Sequence, residues 1–331
     1  MKALIVGLGS IGRRHAWNLK AIDGTARIGV WRPRSSGDGL GDLEPLVERV
    51  VGGEEEALAW APDVAIVATP ASAHVEVATA LARAGVHLLV EKPLADTLDG
   101  VDTLLARCDE RSLALMVGYN LRFAPSLISL REALLEGAIG RPLALRAAVG
   151  QFLPDWRPGR DYRHTVSARR RSGGGALLEM SHELDYARWL LGEVTAVSAR
   201  TRHLSDLDLD VEDAAEIILE FASGALGNVH LDMLDRAPVR TCRILGTEGT
   251  LAWDGIEHTT GLFTRVAGKW RELFSGGPEA RDAMYVAELE HFLTCVAERR
   301  APAVTGADGR RAVEIALAAR RSADTSQVVP V

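Results

Sequence analysis

A short apolar run, Lys2-Ala3-Leu4-Ile5-Val6, feeds directly into Gly7-Leu8-Gly9-Ser10-Ile11-Gly12, and this junction leaves the start of the chain few folds to choose from. An unbroken apolar run suits a strand buried on both faces of a parallel sheet. Gly7 allows a tight turn and Gly9 lets backbone approach a ligand. Gly12 lets the next helix, read over residues 11–21, pack close with its amides facing a pyrophosphate. Strand, glycine turn and helix in that order predict a dinucleotide site built from Gly7, Gly9, Ser10, Ile11 and Gly12.

The next strand, over residues 27–31, ends without the acidic residue that would bind the ribose 2′-hydroxyl of NAD. Arg32-Pro33-Arg34-Ser35-Ser36 stands there instead. Arg32, Arg34 and Ser35 offer guanidinium forks and a hydroxyl to a 2′-phosphate, which favours NADP(H), with NAD(H) as the alternative. The competing reading makes these solvated groups on a surface loop. Strands over 63–68, 86–90 and 113–117 alternate with helices over 72–84 and 97–111, the rhythm of a doubly wound parallel sheet. Ligands of such sheets bind at the carboxyl ends of the strands, where Thr69-Pro70 and Glu91-Lys92-Pro93 lie.

At 331 residues the chain exceeds what one hydrophobic core usually organises, so two domains are expected, 1–120 and 121–331. The second part reads as α+β. It has a helix over 124–136, a β-prone stretch over 143–152, a polar loop over 153–172, and one amphipathic helix running from about 175 through His182, Asp185 and Trp189 to Gly192. Alternating or apolar runs at 195–201, 214–221, 224–232, 239–245 and 249–253 then predict a large, mostly antiparallel, open-faced sheet. Such a sheet needs its outer face covered, so a homo-oligomer, dimer or tetramer, is expected. His230 and Asp232 alternate on one strand and share a face, which makes them second-tier site candidates.

A net charge of −7, with Arg169-Arg170-Arg171 as the densest basic cluster, argues against a nucleic-acid partner. Three cysteines without Cys-x-x-Cys spacing predict reduced thiols and no structural metal. The strand at the N-terminus leaves no signal peptide, and no apolar stretch is long enough for a membrane span, so a cytoplasmic location is expected.

Taken together, the glycine fingerprint, Ala68-Thr69-Pro70 with His74, Glu91-Lys92-Pro93, Gly118-Tyr119-Asn120-Leu121-Arg122-Phe123 and the stretch 173–192 make the chain resemble the Gfo/Idh/MocA oxidoreductase family over essentially its whole length. Val211-Glu212-Asp213-Ala214 and Gly246-Thr247-Glu248-Gly249-Thr250 look like further family landmarks. The resemblance implies a Rossmann domain joined to a sheet domain, and exchange of a secondary alcohol and a ketone on a sugar, amino sugar, cyclitol or sugar nucleotide. By the same resemblance Lys92 hydrogen-bonds the reacting oxygen and Glu91 fixes the lysine, while a cis or a trans peptide before Pro93 stays open. His182 is the second proton carrier, with Asp185 one turn later to support it. Thr69, Pro70, His74, Glu91 and Lys92 then border the cofactor.

Substrate contacts are expected from Tyr119, Asn120 and Arg122, from Trp156, Arg160 and Tyr162 in the polar loop, and from Glu179 beside Lys92 and His182. Two alternatives stay open at this point: a loop merely stapled by surface ion pairs, and an Arg122 with a structural, domain-bridging role. One position departs from the family pattern, which places an acid four residues before the histidine; here that residue is Leu178, and Glu179 is three before. One residue turns a helical side chain by about 100°, so Glu179 either needs a rearranged backbone to reach the site or caps the helix. Two other functions fit the same fold: a glycosidase that retains its NAD, and a catalytically silent, dinucleotide-sensing regulator.

Overall fold

The chain passes three times between two compact units, Met1–Tyr119 with Tyr285–Arg310, and Asn120–Met284 with Arg311–Val331. A computed structural model describes residues 1–32, 39–277 and 279–331. In the first unit β1 (Lys2–Val6) leads into α1 (Ser10–Ile22), followed by β2 (Arg27–Trp31), β3 (Val47–Val51), α2 (Glu54–Ala59), β4 (Val64–Val67), α3 (Ala71–Arg83), β5 (His87–Val90), α4 (Val101–Glu110) and β6 (Leu115–Val117). The strands form one parallel sheet in the order β3-β2-β1-β4-β5-β6. The order reverses between β1 and β4, where Val6 pairs with Val67, and crevices at such reversals take ligands.

The sequence reading passed over β3 and α2. β3, Val-Glu-Arg-Val-Val, is an edge strand with its three central residues exposed, so it carries Glu48 and Arg49 at its centre, where β1, β2, β4 and β5 are apolar. Helix α4 starts at Val101, later than expected, because Gly100 precedes it in the left-handed region at φ +76°.

The second unit holds α5 (Pro125–Leu135), β7 (Pro142–Gly150), α6 (Ala176–Glu179), α7 (His182–Leu191), β8 (Val194–Arg202), β9 (Ala214–Phe221), β10 (Leu226–Asp232), β11 (Val239–Gly246), β12 (Gly249–Asp254), β13 (Thr259–Thr264) and β14 (Trp270–Ser275). The chain closes with α8 (Ala280–Glu298), α9 (Gly306–Thr325) and β15 (Val329–Pro330). Nine strands run in the order β14-β13-β12-β11-β7-β10-β9-β8-β15, antiparallel except for the β7/β10 pair. β9 alternates strictly, burying Ala215, Ile217, Leu219 and Phe221 and exposing Glu216, Ile218 and Glu220. Helices α5 and α7 pack on the buried face, where Trp253 donates from Nε1 to Ser126 Oγ at 2.8 Å. Among the described residues, no helix is long and apolar enough to cross a membrane.

Two expectations need correction here. The single helix expected over 175–192 is broken into α6 and α7, because Met180, at φ −104° and ψ 30°, leaves the helical region between them. The division expected at 120 coincides with the first passage between units, but residues 285–310 return to the first. Val117 N donates to Val304 O at 3.1 Å and Met116 bridges to Thr305, so the returning backbone covers what would otherwise be the open edge of β6.

Candidate active site

In the first unit the strand-to-helix turn has the form the glycines predict. Gly7 takes φ +93°, and a Cβ on Gly12 would collide with the Gly7 carbonyl, so α1 approaches this closely only with glycine there. A Cβ on Gly9 would meet no protein atom within 4 Å: the space above the first amides of α1 is open. Gly9 and Ser10 are exposed, and Thr69 Oγ1 is buried without a hydrogen-bond partner. Open space at a helix N-terminus, next to an unsatisfied hydroxyl, fits a dinucleotide pyrophosphate. Arg32 leaves β2 half-buried, whereas Arg34 and Ser35 lie outside the described residues. Nearby Asp42 is taken up by Arg13 and by Trp17, whose Nε1 donates at 3.2 Å.

The carboxyl ends of β4 and β5 are stapled together. His74 is buried, with Nδ1 2.9 Å from Pro93 O and Nε2 2.8 Å from Thr69 O. Burial pushes its imidazole below the ordinary range, against the two carbonyls that raise it. His74 thus ties two loops together rather than presenting itself to a ligand. Lys92 is half-buried directly after β5, and the Lys92-Pro93 bond is cis. Glu91 is held from behind: His15 Nε2 lies 2.6 Å from its Oε1, and the Lys92 amide donates to its Oε2 at 3.3 Å.

In the second unit the three glycines before α6 make room for other groups. Gly175 sits at φ +102°, and a Cβ there would run into the Glu212 carboxylate. Glu212 in turn starts α6, its backbone carbonyl accepting from Ala176 N at 3.0 Å and its Oε1 from Leu177 N at 3.2 Å. His182 opens α7 and is 9% exposed. Asp185, one turn on, accepts both arms of the Arg122 fork, from Nε at 2.8 Å and from Nη2 at 2.6 Å, with both residues buried. A bidentate guanidinium–carboxylate pair fixes orientation as well as charge.

Residues 1–119 match the model of an oxidoreductase family with an NAD-binding Rossmann fold, and residues 127–252 match the Gfo/Idh/MocA C-terminal domain. A myo-inositol 2-dehydrogenase of Thermotoga maritima is 32% identical over 343 residues, across 99% of this chain and 98% of its own length. The chain belongs to the Gfo/Idh/MocA family of oxidoreductases. A UDP-N-acetylglucosamine 3-dehydrogenase of Acidithiobacillus ferrooxidans is 28% identical, covering 97% of this chain and 96% of its own. Among solved structures, a levoglucosan dehydrogenase in complex with NADH superposes with a TM-score of 0.89 over 100% of this chain and 99% of that one. At 23% identity that likeness speaks for the fold alone.

Within this Gfo/Idh/MocA chain the remaining sequence candidates fall into distinct places. Tyr119 and Asn120 are buried, at 0% and 3% exposure. Arg122 pairs with Asp185 of its own unit. The polar loop is stapled in part: Arg163 forks onto Asp161, Arg169 pairs with Asp208 at 3.1 Å, and Tyr162 Oη accepts from Asp208 N. Trp156, Arg160 and Tyr162 do line one cleft, together with Arg157, but its volume of about 10 Å³ is room for one water. Glu179 ends α6 half-buried, so the backbone break that one reading of this residue required is present.

His230 does share a face with Asp232, at 2.8 Å, and also pairs with Glu216 at 2.7 Å. The Asp232 hydrogen bond, reinforced by Glu216, lifts its imidazole to about 9 despite partial burial. Sequence reasoning missed His15 and Glu288, which join Glu91 in a buried cluster. Their signal was a polar residue on an apolar stripe: His15 among Gly12, Ala16 and Leu19, and Glu288 among Leu289, Phe292 and Cys295.

Proposed function

We propose that the chain is an NADP(H)-preferring oxidoreductase that interconverts a secondary alcohol and a ketone on a sugar, amino sugar, cyclitol or sugar nucleotide. The position of Lys92 carries this reading: a half-buried ammonium directly after β5, at the sheet end where Gly7 to Gly12 open the pyrophosphate site. Lys92 hydrogen-bonds the reacting oxygen and exchanges its proton. His182 is the second proton carrier, and Asp185, clamped by Arg122, holds the turn of α7 that presents it. A nicotinamide cofactor, when bound, would supply or accept the hydride. Arg32, Arg34 and Ser35 hold the 2′-phosphate. Asn120, Trp156, Arg160, Tyr162 and Glu179 offer donors, acceptors and aromatic faces to the substrate hydroxyls. The inositol and nucleotide-sugar relatives support this substrate class. A second copy of the chain covers the outer face of the nine-stranded sheet, where Ile218 is 42% and Leu226 54% exposed.

Parallel titrations of the apo-protein with NADPH and NADH test the cofactor preference, and tighter NADH binding retires the phosphate role of Arg32, Arg34 and Ser35. An absorbance screen with myo-inositol, UDP-N-acetylglucosamine and their keto forms then tests the reaction. Tight cofactor binding with no absorbance change on any of them would move the assignment to the NAD-retaining glycosidase or the regulator. Light scattering on the eluting protein reads the copy number.

A further inference from the structure

Glu288 lies on α8, nearly 200 residues after Glu91, and has no role in the reaction proposed above. It is 1% exposed, and its Oε1 is enclosed without a hydrogen-bond partner. It faces Glu91 and His15, with one ligand atom from each of the three within 4.8 Å of the others. A metal ion would explain such a cluster, but the spacing argues against one. Two ligands each about 2.0–2.2 Å from a tetrahedral ion stand roughly 3.3 Å apart, whereas His15 Nε2 and Glu91 Oε1 are separated by 2.6 Å. That is a hydrogen bond, and a proton joins His15 to Glu91.

Glu91 is engaged on both oxygens, Oε1 at His15 and Oε2 at the Lys92 amide, and Gly118 leaves no slack behind it: a Cβ there would meet Oε2 at 3.0 Å. Two carboxylates this close and this buried do not both ionise. Burial, and then the charge of Glu91, push the Glu288 carboxyl well above the usual range. An ionised Glu288 would drive Glu91 away from the Lys92 amide; a neutral one offers it a donor. We propose that Glu288 is a positioning residue, a neutral carboxyl that holds the Glu91 side chain where it fixes the backbone of Lys92. The purpose assigned to that fixing rests on the role of Lys92 proposed above.

Amide hydrogen exchange at Lys92, read in the full chain with NADPH bound, tests the contact independently of turnover. Glu288→Gln stays neutral and keeps a donor, so protection at Lys92 is expected to match wild type. Glu288→Ala is expected to lose protection about 10-fold, with protection in β1 and β4 unchanged. Equal loss in both variants, or no loss in Glu288→Ala, overturns the proposal. Turnover of myo-inositol, or of whichever polyol the screen yields, is expected to fall by up to ~10²-fold in Glu288→Ala and to be rescued in Glu288→Gln. If Lys92→Met retains turnover while the exchange pattern holds, the role of Lys92 has failed and the positioning of its backbone stands.

Discussion

Each unit buries one polar anchor behind a candidate proton carrier, and the two anchors work differently. Arg122–Asp185, below α7, matches one permanent cation with one carboxylate through two parallel hydrogen bonds. His15–Glu91–Glu288, behind Lys92, sets one base against two acids, and burial beside Glu91 favours the protonated form of Glu288. The first anchor is fixed by geometry. The second is fixed by proton count. A guanidinium suits a place where only orientation matters, whereas a proton-sharing cluster can be retuned by a single substitution.

The contrast can be broken most directly at Lys92. Lys92→Met is expected to lower kcat by about 10²–10⁴-fold with NADPH affinity unchanged in a fluorescence titration; normal turnover would leave the His15–Glu91–Glu288 anchor without a chemical purpose. Arg122→Ala strands a buried carboxylate and is expected to cost about 3–5 kcal/mol in urea unfolding. Arg122→Lys keeps the charge and loses the fork, so it should fall between. A loss under about 1 kcal/mol in Arg122→Ala would mean the pair is not the ionic anchor described. Gly175→Ala forces a side chain into the left-handed region against Glu212, and a loss of about 1–3 kcal/mol in thermal unfolding is expected.

The smallest effect belongs to His230. Its folded pKa of about 9 lies above the unfolded value of about 6.5, so its stabilising contribution is complete below pH 6.5 and fades as pH rises through 9. The Tm difference between wild type and His230→Gln should therefore be largest near pH 6 and vanish above pH 9. Partial exposure and solvent screening keep it to no more than about 3 °C. A difference that grows with pH would contradict the two ion pairs.

The parts of the fold that were legible in the sequence are those where one local pattern decides the outcome. The glycine turn, the apolar central strands and the alternating β9 each bury a face through their own side chains. What escaped depends on partners far along the chain. β3 is charged because it is an edge, and the segment 285–310 gains its place through Val304 and Thr305 at β6. The start of α6 is shaped by Glu212, 35 residues after Leu177. The site divides in the same way. Lys92 and His182 stand in recognisable motifs, but the groups behind them, Arg122 at 63 residues from Asp185 and Glu288 on α8, come together only through tertiary structure.

The return of residues 285–310 also has a consequence for the order of synthesis. Met1–Tyr119 leaves the ribosome before the second unit, yet the edge of β6 stays uncovered and Glu91 lacks Glu288 until the chain has grown past Arg310. The Rossmann unit is thus begun before the nine-stranded sheet and completed only after all of that sheet except β15 has been translated. A gene fragment ending at 120 would encode a Rossmann sheet with an exposed edge strand and an incomplete lysine turn. Dissecting this protein into its functional halves therefore requires a graft of residues 285–310, not a cut.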